Sequence, residues 1–471
     1  MNASHDQGNA GRQRQKSRPS QGKTPARALP QGAAARLVAA QITGLVVGGR
    51  ASLDDLADRE KGFDAFTRLE ARDQALARAI AVTALRHRMQ IRAMLARCWT
   101  RPPPARAELL NSLLETATAQ IAFMQVPASA AANLAVALIS SDPRSARFTG
   151  FANAVLRKIG REQDGLAAAT ATVDPFPAWL QKTLQRDHGK ARTGAIGQAF
   201  RQAPALDLNG RDGYRALFAD GMPLPGTSLR LAGGGAVESL PGFADGRWWV
   251  QDVAAAQPAR LLDLCLEGGV SGRPIADLCA APGGKTLQLA AMGAQVTAVD
   301  VSARRLRRLS ENLQRTQLSA KIVCADLLGE GETGQPGWQP EERFDGILLD
   351  ASCTATGTIR RHPDIVWNTR AEDIAVLASL QRRMIERAAG WLKPGGVLVY
   401  ANCSLFKEEG ENLAASLDLP GLAHRPVEAR ELPGLETSIN GQGNFRSLLH
   451  HKAGEAEGMD GFFAACFRRQ A

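Results

Sequence analysis

Two short segments, each built around a cysteine, contain the residues best suited to chemistry. Cys353 lies in the segment DASCTATG, which follows an apolar run over residues 344–349. Cys403 lies in the segment YANCS, which follows a similar run over residues 395–400. Apolar runs of this length are typical of buried strands, and open α/β sheets carry their chemistry just past the carboxyl ends of strands. The sequence therefore predicts two thiols at one edge of a sheet.

Such thiols suit covalent catalysis on a pyrimidine ring. A thiolate that adds to carbon 6 breaks the aromaticity and makes carbon 5 enamine-like, so that carbon 5 can attack a methyl donor. A base must then remove the proton on carbon 5 before the enzyme can leave. A carboxyl group near ring nitrogen 3 would share a proton as charge develops, and Asp350 is suited to that role because it ends a predicted strand.

Other interpretations of the cysteines stay open at this point. A free cysteine is usually a small buried hydrophobe. We expect that simpler role for four further cysteines: Cys98, Cys265, Cys324 and Cys466. A cysteine protease would need a paired histidine. His362 is the nearest candidate to Cys353, but no known protease signature surrounds either cysteine.

A loop rich in small residues, DLCAAPGGKT over residues 277–286, follows another predicted strand and precedes a predicted helix over residues 287–292. Small residues let the backbone approach a ligand closely, and a helix N-terminus adds a favourable field. The loop does not match the Walker phosphate motif, because the first glycine of that motif falls on Cys279. The dinucleotide fingerprint Gly-x-Gly-x-x-Gly is also absent.

Two acidic residues follow the next two predicted strands. Asp300 is placed to accept hydrogen bonds from ribose hydroxyls, and Asp326 to meet an adenine amino group. Each alone could equally be an N-cap or turn residue. Together with the loop they indicate a nucleoside cofactor without a pyrophosphate, for which S-adenosylmethionine is the obvious candidate.

The elements that must position these residues alternate between strand and helix from residue 246 to residue 471. The strand candidates are Ile275 to Leu278, Val296 to Val299, Lys321 to Cys324, Phe344 to Leu349 and Gly395 to Tyr400. Helical stretches separate several of them, for instance residues 303–313 and 375–391. This alternation predicts a mostly parallel, doubly wound sheet. Asp252 is a plausible N-cap of the helix before the first strand, although Pro258 inside that helix conflicts with a long one.

Three further regions precede this domain. Residues 1–33 are polar and basic, and we expect a disordered tail that could touch phosphates. Residues 34–165 show helical periodicity, with apolar residues from Leu110 to Met124 on one face, and predict an all-α bundle. Residues 166–245 are rich in Gly and Pro, with short apolar stretches, and predict a small α/β connector.

The bulk properties leave two interpretations open: a protein with a polyanionic partner such as nucleic acid, or a merely basic soluble enzyme. The chain has 471 residues and a net charge of +10, and a basic balance favours polyanionic partners. It has no run of 18 apolar residues and no secretory h-region, so neither a membrane span nor a signal peptide is predicted. None of its seven cysteines forms a Cys-x-x-Cys pair, which favours a reducing cytoplasm over disulfides or a metal cluster. We expect a cytoplasmic monomer without metal.

These motifs together resemble the RNA (cytosine-5) methyltransferases, and within them the bacterial RsmB/Sun group that acts on 16S ribosomal RNA. The loop over residues 277–286 is the family's cofactor motif, and the helical region resembles a NusB-like RNA-binding domain. The resemblance implies a Rossmann-like class I methyltransferase domain with Cys403 as the nucleophile and Cys353 in product release. The implied S-adenosylmethionine contacts are Cys279, Ala280, Ala281, Pro282, Gly283, Gly284, Lys285, Asp300, Arg305, Asp326 and Asp350.

The resemblance also predicts residues that contact RNA, and two positions of the chain differ from the residues usual in the family. The stretch that follows the first cysteine includes Arg360 and Arg361, for which we expect contacts to RNA phosphates. Ser352 stands where the family usually has proline, and we expect the lost restriction on φ to loosen the loop that holds Cys353. Asn402 stands where the family usually has threonine. Two alternatives remain: a transfer RNA methyltransferase, and a non-catalytic RNA-binding or antitermination factor.

Overall fold

The computed structural model describes residues 30–56, 58, 62–233, 236–329 and 335–470. Most of the predicted basic tail therefore lies outside the described residues. Within the described part no helix is long and apolar enough to cross a membrane. That part also contains no group of three or more acidic, histidine or cysteine side chains arranged to hold a metal ion.

The N-terminal region is a helical bundle, as predicted. Its helices are α1 (Ala33–Val47), α2 (Leu53–Leu56), α3 (Asp64–Thr67), α4 (Ala71–Arg86), α5 (Arg88–Ala96), α6 (Glu108–Phe123), α7 (Ala128–Ser141) and α8 (Thr149–Thr170). The apolar face of α6 is buried against its neighbours, because Leu110, Leu113, Leu114, Ala117 and Ile121 recur every three or four residues. The bundle boundary predicted at residue 165 falls inside α8, which continues to Thr170.

The connector begins with a helical segment that its composition did not predict, α9 (Ala178–Arg201), which is kinked at Gly189. An antiparallel four-stranded sheet follows, made of β1 (Leu206–Gly210), β2 (Met222–Pro223), β3 (Leu229–Leu231) and β4 (Trp248–Val250). The order of strands in it is β2-β3-β1-β4. Since β4 pairs with β1, the connector sheet extends past the predicted boundary at residue 245.

The C-terminal region contains the larger sheet. Its elements are α10 (Gln257–Cys265), β5 (Pro274–Leu278), α11 (Gly284–Ala291), β6 (Gln295–Asp300), α12 (Ala303–Thr316), β7 (Lys321–Cys324), β8 (Phe344–Asp350), α13 (Ile365–Asn368), α14 (Ala371–Ala389), β9 (Leu392–Asn402), α15 (Glu411–Ala415), β10 (Leu422–His424), β11 (Phe445–Ser447), β12 (Lys452–Ala453), β13 (Ala456–Glu457) and β14 (Phe462–Arg469). Short 3-10 helices occur at Ala146–Phe148, Tyr214–Leu217, Val237–Ser239, Thr356–Thr358, Ala429–Glu431 and Glu436–Ser438.

The order of strands in this sheet is β10-β14-β9-β8-β5-β6-β7, with β11 also pairing to β14. The five strands from β9 to β7 are parallel, and β14 joins β9 antiparallel. Consecutive residues of β8 face opposite cores: Leu348 packs in the cluster with Leu262 of α10, and Leu349 packs with Ile385 of α14. Helices cover both faces, so the predicted doubly wound, mostly parallel sheet is confirmed.

Two local expectations about α10 need correction. Pro258 is tolerated because it lies in the first turn of a helix that starts only at Gln257, where its missing N–H costs no intrahelical bond. Asp252 is therefore not its N-cap. The Asp252 carboxylate instead accepts hydrogen bonds from the Ala254 and Asp460 backbone N–H groups at 2.8 and 3.1 Å.

The bundle contacts the C-terminal region through residues 360–368. The Asp364 carboxylate accepts a hydrogen bond from the Leu53 N–H at 3.0 Å, and the Trp367 indole donates to the Leu85 carbonyl at 3.0 Å. Asn368 donates to the Ala51 carbonyl at 3.1 Å. A segment that begins seven residues after Cys353 thus joins the two regions.

Candidate active site

The two cysteines lie in loops that follow neighbouring parallel strands. Strands β8 and β9 pair in register, with Asp350 opposite Ala401, so both chains leave the sheet at the same edge. The Sγ atoms of Cys353 and Cys403 are 3.5 Å apart, within reach of a thiol–thiolate hydrogen bond. Both side chains are partly buried. The arrangement lets two sulfur atoms act on one small ligand.

The pKa of Cys353 is raised well above the ordinary value for a thiol. The hydrogen bond to Cys403 is the largest cause, and burial and the charge of Glu409 act in the same direction. A raised pKa makes Cys353 a weaker source of thiolate than an ordinary cysteine while the two sulfurs remain in contact. Either sulfur can be the donor of the hydrogen bond between them.

Lys285, from the first turn of α11, extends to the same edge. Its Nζ donates to the Asp350 carboxylate at 2.7 Å and lies 4.8 Å from the centre of the Phe462 ring. Burial acts to lower the pKa of Lys285, but the ion pair with Asp350 and smaller contributions from Asp277 and Cys403 more than offset it, and the pKa is raised. Lys285 stays an ammonium at the edge of the sheet where Cys403 lies, and a positive charge there suits a nucleophilic thiolate.

The predicted cofactor loop runs from the end of β5 into α11. Cys279 has a left-handed backbone with φ of +59°, and the Ala281–Pro282 peptide bond is cis. Gly283 has φ of +110°, and a Cβ there would lie 2.3 Å from a Leu309 methyl carbon. Only glycine therefore fits the turn that starts α11. Burial is the main cause that raises the pKa of the Cys279 thiol to about 12, so this cysteine is not a second nucleophile.

Asp300 and Arg305 hold this loop from the side of β6. The Asp300 carboxylate accepts hydrogen bonds from the Ala281 N–H at 3.1 Å and the Ser302 N–H at 2.8 Å. Arg305 donates to the Ala281 carbonyl, and its guanidinium lies 3.7 Å from Asp300. Both predicted cofactor residues thus lie at the loop, and each also fixes its backbone.

Two further acidic residues, Asp277 and Asp326, lie at the carboxyl ends of β5 and β7. Asp277 is fully buried at the end of β5 and accepts a hydrogen bond from the Thr286 hydroxyl. Burial raises its pKa to about 7, although Thr286 and Lys285 act in the opposite direction. Asp326 follows β7 and accepts a hydrogen bond from the Leu328 N–H at 2.9 Å. Carboxylates therefore follow or end the adjacent parallel strands β5, β6, β7 and β8.

A family model described as 16S rRNA methyltransferase RsmB/F matches residues 268–468, and a NusB family model matches residues 33–161. The ribosomal RNA small subunit methyltransferase B of Vibrio cholerae is 36% identical over 419 residues, covering 85% of this chain and 91% of that protein. The chain belongs to the RsmB/F family of 16S rRNA methyltransferases. It is therefore a methyltransferase of RNA, as its resemblance implied.

Other comparisons agree with this membership. The protein of the same name from Erwinia tasmaniensis is 38% identical over 359 residues, 72% of this chain and 80% of that protein. The crystal structure of PH0851 has a TM-score of 0.67 at 24% identity and covers 92% of this chain and 99% of that chain. The latter likeness shows a shared fold across the bundle, the connector and the RsmB/F methyltransferase domain.

The RNA contacts of Arg360 and Arg361 stay a prediction, and the structure places both side chains largely inside the protein. Arg360 is only 5% exposed. Arg361 forms ion pairs with Asp252 at 2.6 Å and Asp460 at 3.0 Å, two carboxylates that are almost completely buried. The Arg361 guanidinium therefore joins the segment before α10 to the segment before β14.

One residue near the cysteines was missed entirely. Glu409 lies six residues after Cys403, is 0% exposed and accepts hydrogen bonds from both cysteine loops. No periodicity or motif considered above distinguishes it from the neighbouring Glu408. Only the tertiary contact between the loops after β8 and β9 reveals its position in this RsmB/F site.

Proposed function

We propose that this RsmB/F protein transfers a methyl group from S-adenosylmethionine to carbon 5 of a cytosine in 16S ribosomal RNA. The transfer proceeds through a covalent bond between the Cys403 sulfur and carbon 6. The observation that carries this proposal is the 3.5 Å separation of two cysteine sulfurs beside the loop that opens α11. A reaction that needs one nucleophilic sulfur and a second group for release accounts for both thiols.

The residues present fit S-adenosylmethionine by their chemistry. The acidic residues Asp300, Asp326 and Asp350 accept hydrogen bonds, and the Gly283 turn brings backbone close to any ligand at the N-terminus of α11. The residues that would hold the molecule are the loop from Cys279 to Lys285 and these acids, with Arg305 fixing the loop. S-adenosylmethionine supplies an electrophilic methyl group on a sulfonium sulfur.

Cys403 begins the reaction. Its sulfur adds to carbon 6 of the cytosine, and the electron pair moves through the ring so that carbon 5 becomes nucleophilic. The side chain of Asp350 remains 28% exposed, and its ion pair with Lys285 contains a proton that can be shared at ring nitrogen 3 as negative charge develops there and that returns to the pair when the charge is lost. Carbon 5 is then the nucleophile for the methyl group that S-adenosylmethionine would supply.

Cys353 completes the reaction. The hydrogen bond to Cys403, which is the largest cause of its raised pKa, is lost once that sulfur is bonded to carbon. The Cys353 proton can then pass to water, and the resulting thiolate removes the proton on carbon 5. The carbon 6 to sulfur bond breaks as Cys403 leaves with the electron pair. One proton is released overall, and the sulfur pair regains its starting state.

The family supports ribosomal RNA over transfer RNA as the substrate, because the relatives named above are ribosomal RNA small subunit methyltransferases. The NusB-like bundle is an additional RNA-binding surface in this proposal. The target base must leave any helical stack to reach two sulfurs at a sheet edge, so an unpaired or flipped cytosine is expected. A reaction on ribosomal RNA also implies a cytoplasmic location.

The test combines purified protein with 16S ribosomal RNA, a transfer RNA pool and labelled S-adenosylmethionine, followed by bisulfite sequencing of the products. We expect label in 16S RNA at one cytosine that becomes resistant to bisulfite. Label only in transfer RNA would favour the alternative substrate, and label at a different atom would overturn the cytosine-5 chemistry. A non-catalytic RNA-binding factor would transfer no label while still binding RNA.

A further inference from the structure

We propose that Glu409 is a positioning residue that sets the spacing of the two reactive sulfurs by accepting hydrogen bonds from the residue after each cysteine. Thr354 follows Cys353 and Ser404 follows Cys403, and both donate to this one carboxylate. The inference rests on the proposed function, because it assigns Glu409 a part in the chemistry of both cysteines.

Four hydrogen bonds converge on the Glu409 carboxylate. Oε1 accepts from the Thr354 N–H at 3.0 Å and from the Gln381 side chain at 3.0 Å. Oε2 accepts from the Thr354 hydroxyl at 2.6 Å and from the Ser404 hydroxyl. Glu409, Gln381 and Ser404 are 0% exposed. Buried hydrogen bonds to a charged acceptor are short and strong, so the two loops are held to one rigid point.

The backbone of Glu409 holds the second loop as well. Its carbonyl accepts hydrogen bonds from the Tyr400 hydroxyl at 2.6 Å and from the Asn402 side-chain amide at 2.8 Å. The Asn402 side-chain oxygen accepts from the Ser404 N–H at 2.9 Å. Asn402, the departure from the usual threonine, is therefore part of the same network and ties both sides of Cys403 to it.

The network also explains how the Cys353 loop is held without the usual proline. The Ser352 carbonyl accepts a hydrogen bond from Gln381 at 2.9 Å, and the Thr354 N–H donates to Glu409. The residues on either side of Cys353 are thus anchored to Gln381 and Glu409, which are bonded to each other. Hydrogen bonds here supply the restriction that a fixed proline φ would give elsewhere.

A carboxylate suits this point because four groups donate to its two oxygens, although the Thr354 and Ser404 hydroxyls can also accept. In Glu409→Gln the NH₂ group either faces the N–H donors of Thr354 and Gln381 or forces the two hydroxyls to reverse and lose their acceptor. Either change weakens the hold on one loop, and a displacement of about 1 Å between reacting groups costs about a hundredfold in rate. An ordinary structural role would predict a loss of stability with no change in the balance between bond formation and release.

The experiment compares Glu409→Gln with Glu408→Gln, the same substitution one residue away, in the full-length protein. Single-turnover methylation of 16S RNA and the covalent band on a denaturing gel are measured together with S-adenosylmethionine binding and the melting temperature. We expect a fall of about a hundredfold in methyl transfer for Glu409→Gln with cofactor binding retained, and no change for Glu408→Gln. Methyl transfer at the wild-type rate in Glu409→Gln would overturn the proposal.

Thr354→Val and Ser404→Ala each keep the Glu409 carboxylate and remove one hydroxyl hydrogen bond to it. They test the Cys353 loop and the Cys403 loop separately, even if Glu409→Gln fails to fold. Ser404→Ala should slow formation of the adduct, and Thr354→Val should slow its release and leave more covalent band. Equal effects of both variants on both steps would contradict the positioning role.

The alkylation of Cys353 by iodoacetamide gives an independent measurement. After the hydrogen bond to Cys403 and burial, the charge of Glu409 is a further cause of the raised pKa of Cys353. The pH midpoint of Cys353 alkylation should therefore fall in Glu409→Gln and stay unchanged in Glu408→Gln. An unchanged midpoint in a folded Glu409→Gln protein would count against the inference. Cys403→Ala, run in parallel, separates the hypotheses, because methyl transfer by that variant would overturn the proposed function itself.

Discussion

Cys353 and Cys403 are 50 residues apart in the chain, yet their sulfur atoms are separated by 3.5 Å. The contact follows from the parallel pairing of β8 and β9, which brings both loops to the same edge of the sheet. Lys285 and Asp350 form their ion pair at that edge. The site therefore combines a thiol pair, a fixed positive charge and a carboxylate within one small volume.

Cys403→Ala should abolish methyl transfer while cofactor binding persists. The substitution removes the proposed nucleophile but no part of the loop from Cys279 to Lys285. We expect turnover to fall by at least about a thousandfold. Filter-bound label and calorimetric titration with S-adenosylmethionine measure the two properties. Cys98→Ala, in the helical bundle, is the matched control, and full activity of Cys403→Ala would refute the assignment of the nucleophile.

Cys353→Ala should form the covalent bond to RNA but release it slowly. Cys403 still attacks, whereas the group proposed to remove the carbon 5 proton is missing. A slowly migrating protein–RNA band on a denaturing gel is the expected result. The double variant Cys353→Ala, Cys403→Ala should show no such band. If Cys353→Ala alone gives none, Cys353 has no part in release.

Arg361→Ala should destabilise the fold without touching the reacting groups. The variant leaves the carboxylates of Asp252 and Asp460, 3% and 4% exposed, without their shared cation. We expect a loss of about 3 kcal/mol in the free energy of unfolding, measured by urea denaturation at pH 7. Arg430→Ala, whose pair with Glu428 lies on the surface, should change stability by less than about 1 kcal/mol. Equal effects would rule out a structural role for the Arg361 pairs.

Asp277→Asn should alter how stability depends on pH. Burial raises the pKa of Asp277 to about 7 in the folded state from 3.8. Between those values the folded chain binds a proton that the unfolded chain has lost, so this group favours folding at low pH and loses that contribution as pH rises through 7. The asparagine variant has no such titration.

Wild type should therefore lose stability relative to Asp277→Asn between pH 5 and pH 8, by at most about 3 kcal/mol. Urea unfolding at several pH values measures the difference. Stability curves of the two proteins that stay parallel across this range would show that Asp277 does not titrate there.

The strands and cofactor loop could be predicted because their signals are local. Strand β7 was predicted with both of its ends, Lys321 and Cys324, from the β-branched pair Ile322 and Val323 between them. Helix α9 was missed because a Gly- and Pro-rich composition suggested short elements, and its interior Gly189 has φ of +80°. Patterns among neighbouring residues are enough to locate helices and strands. They do not show which of these elements contact each other in the folded chain.

Some residues of the candidate site could likewise be predicted from the sequence, and others depend on contacts between distant parts of the chain. Cys353 and Cys403 could be found from their place after apolar runs, and Lys285 from the loop. The role of Glu409 depends on contacts across 55 residues to Thr354, and the burial of Arg361 depends on Asp252 and Asp460, which are more than 90 residues away. In sequence, Arg360-Arg361 is typical of a phosphate-binding site. Only the structure shows that the Arg361 guanidinium is paired with the carboxylates of Asp252 and Asp460.

The segment from residue 360 to residue 368 couples the position of the Cys353 loop to the bundle. Its Trp367 indole and Asp364 carboxylate have hydrogen-bond partners on helices of the bundle. Replacing the bundle with an unrelated domain would remove those partners from groups that lie 11 and 14 residues after Cys353. Loss of the bundle should therefore disturb the catalytic edge of the sheet, whereas substitutions on the outer surface of the bundle should leave that edge in place.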